Sequence, residues 1–174
     1  GTTHARPRWP HPTTVSVQGL YRAPEGFSAR FDALSRSYRY RIAASQTRPV
    51  LAWDHSWWYR GELDVEAMAA AARPLLGEHD FKSFCKASSA EGKPTCRYVG
   101  QLDVSRVTEA GEELVAIDVT GNAFLHNMVR TIAGSLVEWG AGTVGRSGWP
   151  RCWRHATAPP PVPVPPRRGS PSSG

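Results

Sequence analysis

Arg36-Ser-Tyr-Arg-Tyr-Arg-Ile42 alternates along the chain, which predicts a β-strand with Tyr38, Tyr40 and Ile42 on one face and the arginines on the other. Val15 to Tyr21 alternates too and reads as a strand; Trp53 to Tyr59 is a short aromatic strand candidate. The pattern then changes period. Leu63-Asp64 opens a helix, with Asp64 as its N-cap, Glu66 in its first turn and an alanine-rich run behind them. Pro74 should kink or end that helix, and Gly77 suits its C-terminal cap. Cys96 to Val107 and Leu114 to Val119 read as a hairpin across the turn at 109–113. A last helix, from about Leu125 to Trp139, places Leu125, Met128, Val129, Ile132, Ala133 and Leu136 on one stripe. The order strands, helix, strands, helix predicts an α+β fold: a mostly antiparallel sheet with helices packed on one face.

The ends break this pattern. Residues 1–14 show no period, and residues 141–174 hold a run of prolines that can join neither helix nor central strand. The expected organisation is an irregular segment over 1–14, a folded domain over 15–140 and an extended or disordered Pro/Arg-rich tail over 141–174. Charge follows the same division. The chain of 174 residues has a formal net charge of +6, but its two ends hold seven arginines and no acid. The middle therefore carries 14 basic against 15 acidic residues, and the overall basicity is no sign of a nucleic-acid binder by itself. One local exception stands out: residues 22–48 carry six arginines against Glu25 and Asp32.

Several kinds of chemistry drop out. No apolar run approaches the roughly 18–20 residues of a membrane span. No charged-then-apolar leader opens the sequence, so a cytoplasmic setting is expected. Cys85, Cys96 and Cys152 are too few and too scattered for a disulfide framework, and none has zinc-ligand spacing. Gly140-Ala-Gly142-Thr-Val-Gly145 matches a dinucleotide-binding pattern but follows a helix and precedes the proline-rich tail, the wrong context for it. Two segments remain. The alternating arginines and tyrosines of 36–41 could stack an unpaired base and contact phosphates, or could be a core tyrosine pair with a solvated polar face. Gly121-Asn-Ala-Phe-Leu-His-Asn-Met-Val-Arg130 joins a strand to a helix and sets Arg130 away from the centre of the apolar stripe, where a solvated arginine is the plain reading.

Taken in order, four stretches resemble the TruA-type tRNA pseudouridine synthases. They are Phe27-Ser-Ala-Arg-Phe31, Tyr38-Arg-Tyr40, Leu76-Gly-Glu-His-Asp-Phe81 with Ser83-Phe84, and Gly121 to Arg130 leading into Ile132-Ala-Gly-Ser-Leu136. The resemblance implies isomerisation of uridine to pseudouridine in the anticodon stem–loop of tRNA, with no cofactor and no metal, by a homodimer. It implies that Tyr38 stacks on the target base, and that Arg130 pairs with a catalytic aspartate. Arg36 and Arg39 flank Tyr38 as expected substrate contacts. Tyr38 and Arg130 are expected to meet across one pocket, and the Phe81–Phe84 segment to pack beneath it. The aspartate motif of the family contains Arg-Thr-Asp, which these residues lack. The expectation is therefore an inactive fragment lacking the amino-terminal half, with an out-of-frame origin suggested for both ends. Arg130 should reach solvent or find another acid, and a sheet edge should be left open to association. The alternative reading is a non-catalytic RNA-binding module.

Overall fold

A computed structural model of the chain describes residues 19–85, 92 and 94–143. Strand candidate residues 15–18, Cys152 and the tail from 144 onward lie outside the described residues. Gly1–Leu34 and Ser35–Gly174 are separate units. In the first, Gly19–Tyr21 is irregular rather than the end of a strand. The Phe27–Phe31 motif there is a turn: the Asp32 carboxylate accepts the Ser28 amide at 2.7 Å, and the Arg30 guanidinium lies 5.4 Å from the Phe31 ring centre.

The second unit is a five-stranded sheet with two helices, the α+β arrangement that the pattern predicts. Its strands are β1 (Arg36–Ala44), β2 (Trp57–Tyr59), β3 (Gly77–Asp80), β4 (Cys96–Glu109) and β5 (Glu112–Gly121), in spatial order β2-β1-β5-β4-β3. Only β1 and β2 run parallel; the other pairs are antiparallel. The β4–β5 turn has two central residues, Ala110 and Gly111, with φ of 52° and 82°. Paired left-handed residues are the backbone that matches the twist of a tight hairpin.

The first helix, α1 (Val65–Ala72), begins where the sequence places it: the Asp64 carboxylate accepts the Ala67 amide at 2.9 Å. Pro74 sits in the following 3₁₀ turn (Arg73–Leu75), and Gly77 carries the chain on at φ 96° into β3. The second, α2 (Met128–Gly140), starts three residues later than its apolar period suggests, because Asn127 is left-handed at φ 65°. Trp53 to Tyr59 is likewise shorter as a strand, keeping only β2. Its earlier residues form a turn instead, the His55 amide and the Ser56 hydroxyl both donating to the Ala52 carbonyl at 3.3 and 2.6 Å, while the Glu112 carboxylate anchors the preceding Val50 and Ala52 amides at 2.7 and 2.8 Å.

Both helices cover one face of the sheet, here the helix side. Met68, Leu75, Phe81, Val99, Ile117, Met128, Ile132 and Leu136 are almost fully buried there. Each such side chain contributes about 1.5–3 kcal/mol of transfer free energy, which is what holds α2 in place. Phe81 and Phe84 meet edge-on, ring centres 5.8 Å apart, within this core. The opposite, outer face has a smaller cluster of Ala43, Ala52 and Leu114, and is otherwise a polar ladder. Among the described residues, no helix is long and apolar enough to cross a membrane.

Candidate nucleic-acid interface

Strand alternation on β1 sorts the candidate residues. Ile42 is in the helix-side core, so Arg36, Tyr38 and Tyr40 share that side, whereas Ser37, Arg39, Arg41 and Ala43 face outward. The expected split of tyrosines from arginines therefore holds for Arg39 and Arg41 but not for Arg36. Two residues separate Arg36 from Tyr38, and an even spacing keeps both on one face. Tyr38 is 51% exposed, and its ring meets Phe124 in a T-shaped contact at 5.3 Å. Tyr40 is held against Trp57 in the same way, at 6.4 Å, and packs on the core.

The segment from Gly121 to Asn127 positions that site. A Cβ on Gly121 would lie 2.7 Å from the Tyr98 carbonyl oxygen and 3.1 Å from Phe124 Cζ, so glycine is what lets β5 pass so close. The Tyr98 carbonyl accepts the Asn122 amide at 3.1 Å. In return the Asn122 side-chain oxygen accepts the amides of Tyr98 and Ala123, at 3.1 and 2.7 Å. Arg36 Nη1 donates to the Asn122 carbonyl at 2.9 Å. Asn127 closes the segment, its carbonyl taking the Thr131 amide at 2.9 Å and the Thr131 hydroxyl at 3.1 Å. Arg130 follows in the first turn of α2, exposed and in none of the ion pairs among the described residues.

Tyr38 and Arg36 thus share the helix-side face of β1, Arg36 holding Asn122 and Phe124 tying Tyr38 to the segment that leads into Arg130. Asn122 and Phe124 are the residues that sequence reasoning passed over. Their signal is a Gly-Asn pair followed two residues later by an aromatic, ordinary in a loop until its neighbours across the sheet are known.

Arg39 belongs elsewhere. On the outer face it grips Asp118 with two hydrogen bonds of 2.7 and 2.8 Å and reaches Glu109 at 3.5 Å. The hydrogen bond from Arg39 holds the Asp118 carboxyl below its usual range, and the bond from Arg41 at 2.6 Å does the same for Glu109. Arg39 and Tyr38 nonetheless both border an open cup of about 380 Å³, with Ser37, Gln101, Asp118 and Thr120; Arg130 is not among the cup's lining residues. Among the described residues no group of three or more His, Cys, Asp or Glu is placed to hold a metal ion. Cys85 and Cys96 are thiols without a disulfide.

Over residues 71–165 the sequence matches the family described as tRNA pseudouridine synthase. That match runs past residue 140 into the proline-rich tail. A tRNA pseudouridine synthase A of Caldicellulosiruptor bescii is 40% identical over 131 residues, covering 75% of this chain and 52% of the relative. One from Geotalea uraniireducens is 44% identical over 131 residues, with the same coverage of 75% and 52%. One from Frankia casuarinae is 44% identical over 158 residues, 89% of this chain and 55% of the relative. The chain spans about half the length of these curated relatives.

Proposed function

The chain belongs to the tRNA pseudouridine synthase family, and from that premise we propose that it supplies the base-binding part of a uridine isomerase acting on the tRNA anticodon stem–loop. The reaction breaks the N-glycosidic bond, rotates the uracil and rejoins it through carbon, so substrate and product are isomers. It needs a flat surface for an extruded base and a carboxylate kept ionised. Tyr38 offers the surface. Arg130 offers the cation, because a guanidinium beside a carboxylate favours its charged form. Arg36 steadies the loop between them through the Asn122 carbonyl, rather than acting as a second phosphate contact. No cofactor enters the scheme.

The observation that carries this reading is the half-exposed Tyr38 ring, braced edge-on by a phenylalanine from the segment that ends at Arg130. These 174 residues hold no Arg-Thr-Asp, so the chain by itself should bind RNA without isomerising it. The aspartate then comes from a segment outside them, and the functional unit is a homodimer. The test is tritium release from uridine-labelled anticodon stem–loop transcript, run beside filter binding. Binding without release is expected, and Tyr38→Ala should weaken it. Release by the 174-residue chain alone refutes the missing nucleophile; absence of any binding refutes the base platform. Sedimentation reads the dimer.

A further inference from the structure

Two tryptophans at the β2 edge of the sheet are left over by this scheme. Trp53 is 58% exposed and Trp58 is 37% exposed. Each carries an arginine over its ring: Arg48 at 5.5 Å from Trp53, and Arg60 at 5.9 Å from Trp58. Their placement is fixed. The Trp58 indole N–H donates to the Ser45 carbonyl at 3.0 Å, and Trp58 pairs in register with outward-facing Ala43. Trp53 follows Ala52, which is buried against Ala43 and Leu114 and tethered to Glu112. Trp58 thus stands at the outer edge of the sheet, about 17 Å along β1 from Tyr38 at some 3.3 Å per residue and on the opposite face, so an RNA touching both would pass over the sheet edge.

We propose that the Arg48–Trp53 and Arg60–Trp58 pairs are a second RNA contact, taking unpaired or terminal nucleotides of the same RNA whose target base meets Tyr38. This rests on the RNA-binding reading above. An indole stacks any base, and a guanidinium beside it supplies N–H donors for phosphate. Charge points the same way. The only carboxylate from 48 to 60 is Asp54, which His55 engages, and the nearby Glu112 turns its oxygens to the Val50 and Ala52 amides. Val50 and Leu51 beside Trp53 are exposed too, at 73% and 59%, and add apolar area of the kind a protein interface uses; what favours RNA is the arginine placed over each exposed indole.

The test measures affinity of the full chain for a labelled anticodon stem–loop RNA across a salt series. Trp53→Ala should weaken binding about 5- to 150-fold, and Trp53→Phe much less. Arg48→Gln and Arg60→Gln should each flatten the slope of log affinity against log salt by about 0.7. Circular dichroism of each variant confirms that the fold is intact, as expected for exposed side chains. If the wild-type chain binds and Trp53→Ala stays within twofold of it, the second contact is refuted while the Tyr38 platform stands. If the wild-type chain binds no RNA, both fall. If Trp53→Ala alters sedimentation and leaves RNA affinity alone, the patch is a protein interface and the proposal is wrong.

Discussion

Changing Gly121 to alanine and changing Gly134 to alanine add the same methyl group with opposite expected signs. At Gly121 the new Cβ would sit 2.7 Å from the Tyr98 carbonyl oxygen and 3.1 Å from Phe124 Cζ. The phenylalanine could swing away, but the carbonyl is held by the Asn122 amide and by the β4–β5 ladder. Overpacking of this kind costs about 1–3 kcal/mol. Alanine recovers part of it, about 0.5–1 kcal/mol, by losing less backbone freedom on folding. The net expectation for Gly121→Ala is a loss centred on about 1 kcal/mol, within a span of about 0–2.5. At Gly134, inside α2, nothing lies within 4 Å of the added carbon. There the helix gains about 0.8–1 kcal/mol. Urea unfolding followed by tryptophan fluorescence reads both, as a lower midpoint for the first variant and a higher one for the second, with slopes unchanged. Because Phe124 braces Tyr38, the Gly121 variant should also bind RNA more weakly. A Gly121→Ala midpoint equal to or above the wild-type value refutes the close-approach argument.

Asp64→Ala should lose about 1 kcal/mol through the missing cap on α1, and Asp64→Asn only a few tenths, by the same unfolding assay. Ala110→Gly should raise stability by about 0.5–1 kcal/mol, since alanine at φ 52° carries a left-handed strain that glycine lacks; thermal unfolding checks it. Hydrogen bonds from the Val50 and Ala52 amides hold the Glu112 carboxyl below the usual glutamate range. A depressed folded-state pKa means the tether is fully present above the unfolded value and fades as pH falls through the lower folded one. Amide chemical shifts of Val50 and Ala52 should therefore move together in acid, and Glu112→Gln should blunt that response.

Local signals carried most of the architecture. The period of α2, the Asp64 cap and the β4–β5 hairpin were readable because each depends on residues within a turn or two of one another. What escaped depends on partners far along the chain. Arg39, expected as a substrate contact, makes two hydrogen bonds to Asp118, 79 positions away, a pairing that no local pattern announces. The strand at Trp53 gives up its first half to a turn on the Ala52 carbonyl, beside an anchor on Glu112 60 positions from Ala52. Arg36 departs from the expected split for a smaller reason: two residues from Tyr38 on a strand, it shares the tyrosine face. The start of α2 slipped by three residues because Asn127, with φ above zero, interrupts an apolar stripe that composition alone continues. Of the proposed site, Tyr38 and Arg130 rest on the resemblance to the family, since alternation alone also fits a core tyrosine and Arg130 alone fits a solvated arginine, whereas Asn122 and Phe124 needed the sheet register to acquire a purpose.

The register of β1 also bears on biosynthesis. Ser37 and Thr120 bond across the β1–β5 pair but are 83 positions apart. A ribosome adding about 5–20 residues per second exposes β1 for about 4–17 s before its antiparallel neighbour exists. The β4–β5 hairpin, by contrast, can close within about 1–10 μs of leaving the exit tunnel. Nascent chains should therefore pass through an interval in which Tyr38 and Tyr40 stand on an unzipped strand, the stage at which a chaperone would have most to shield.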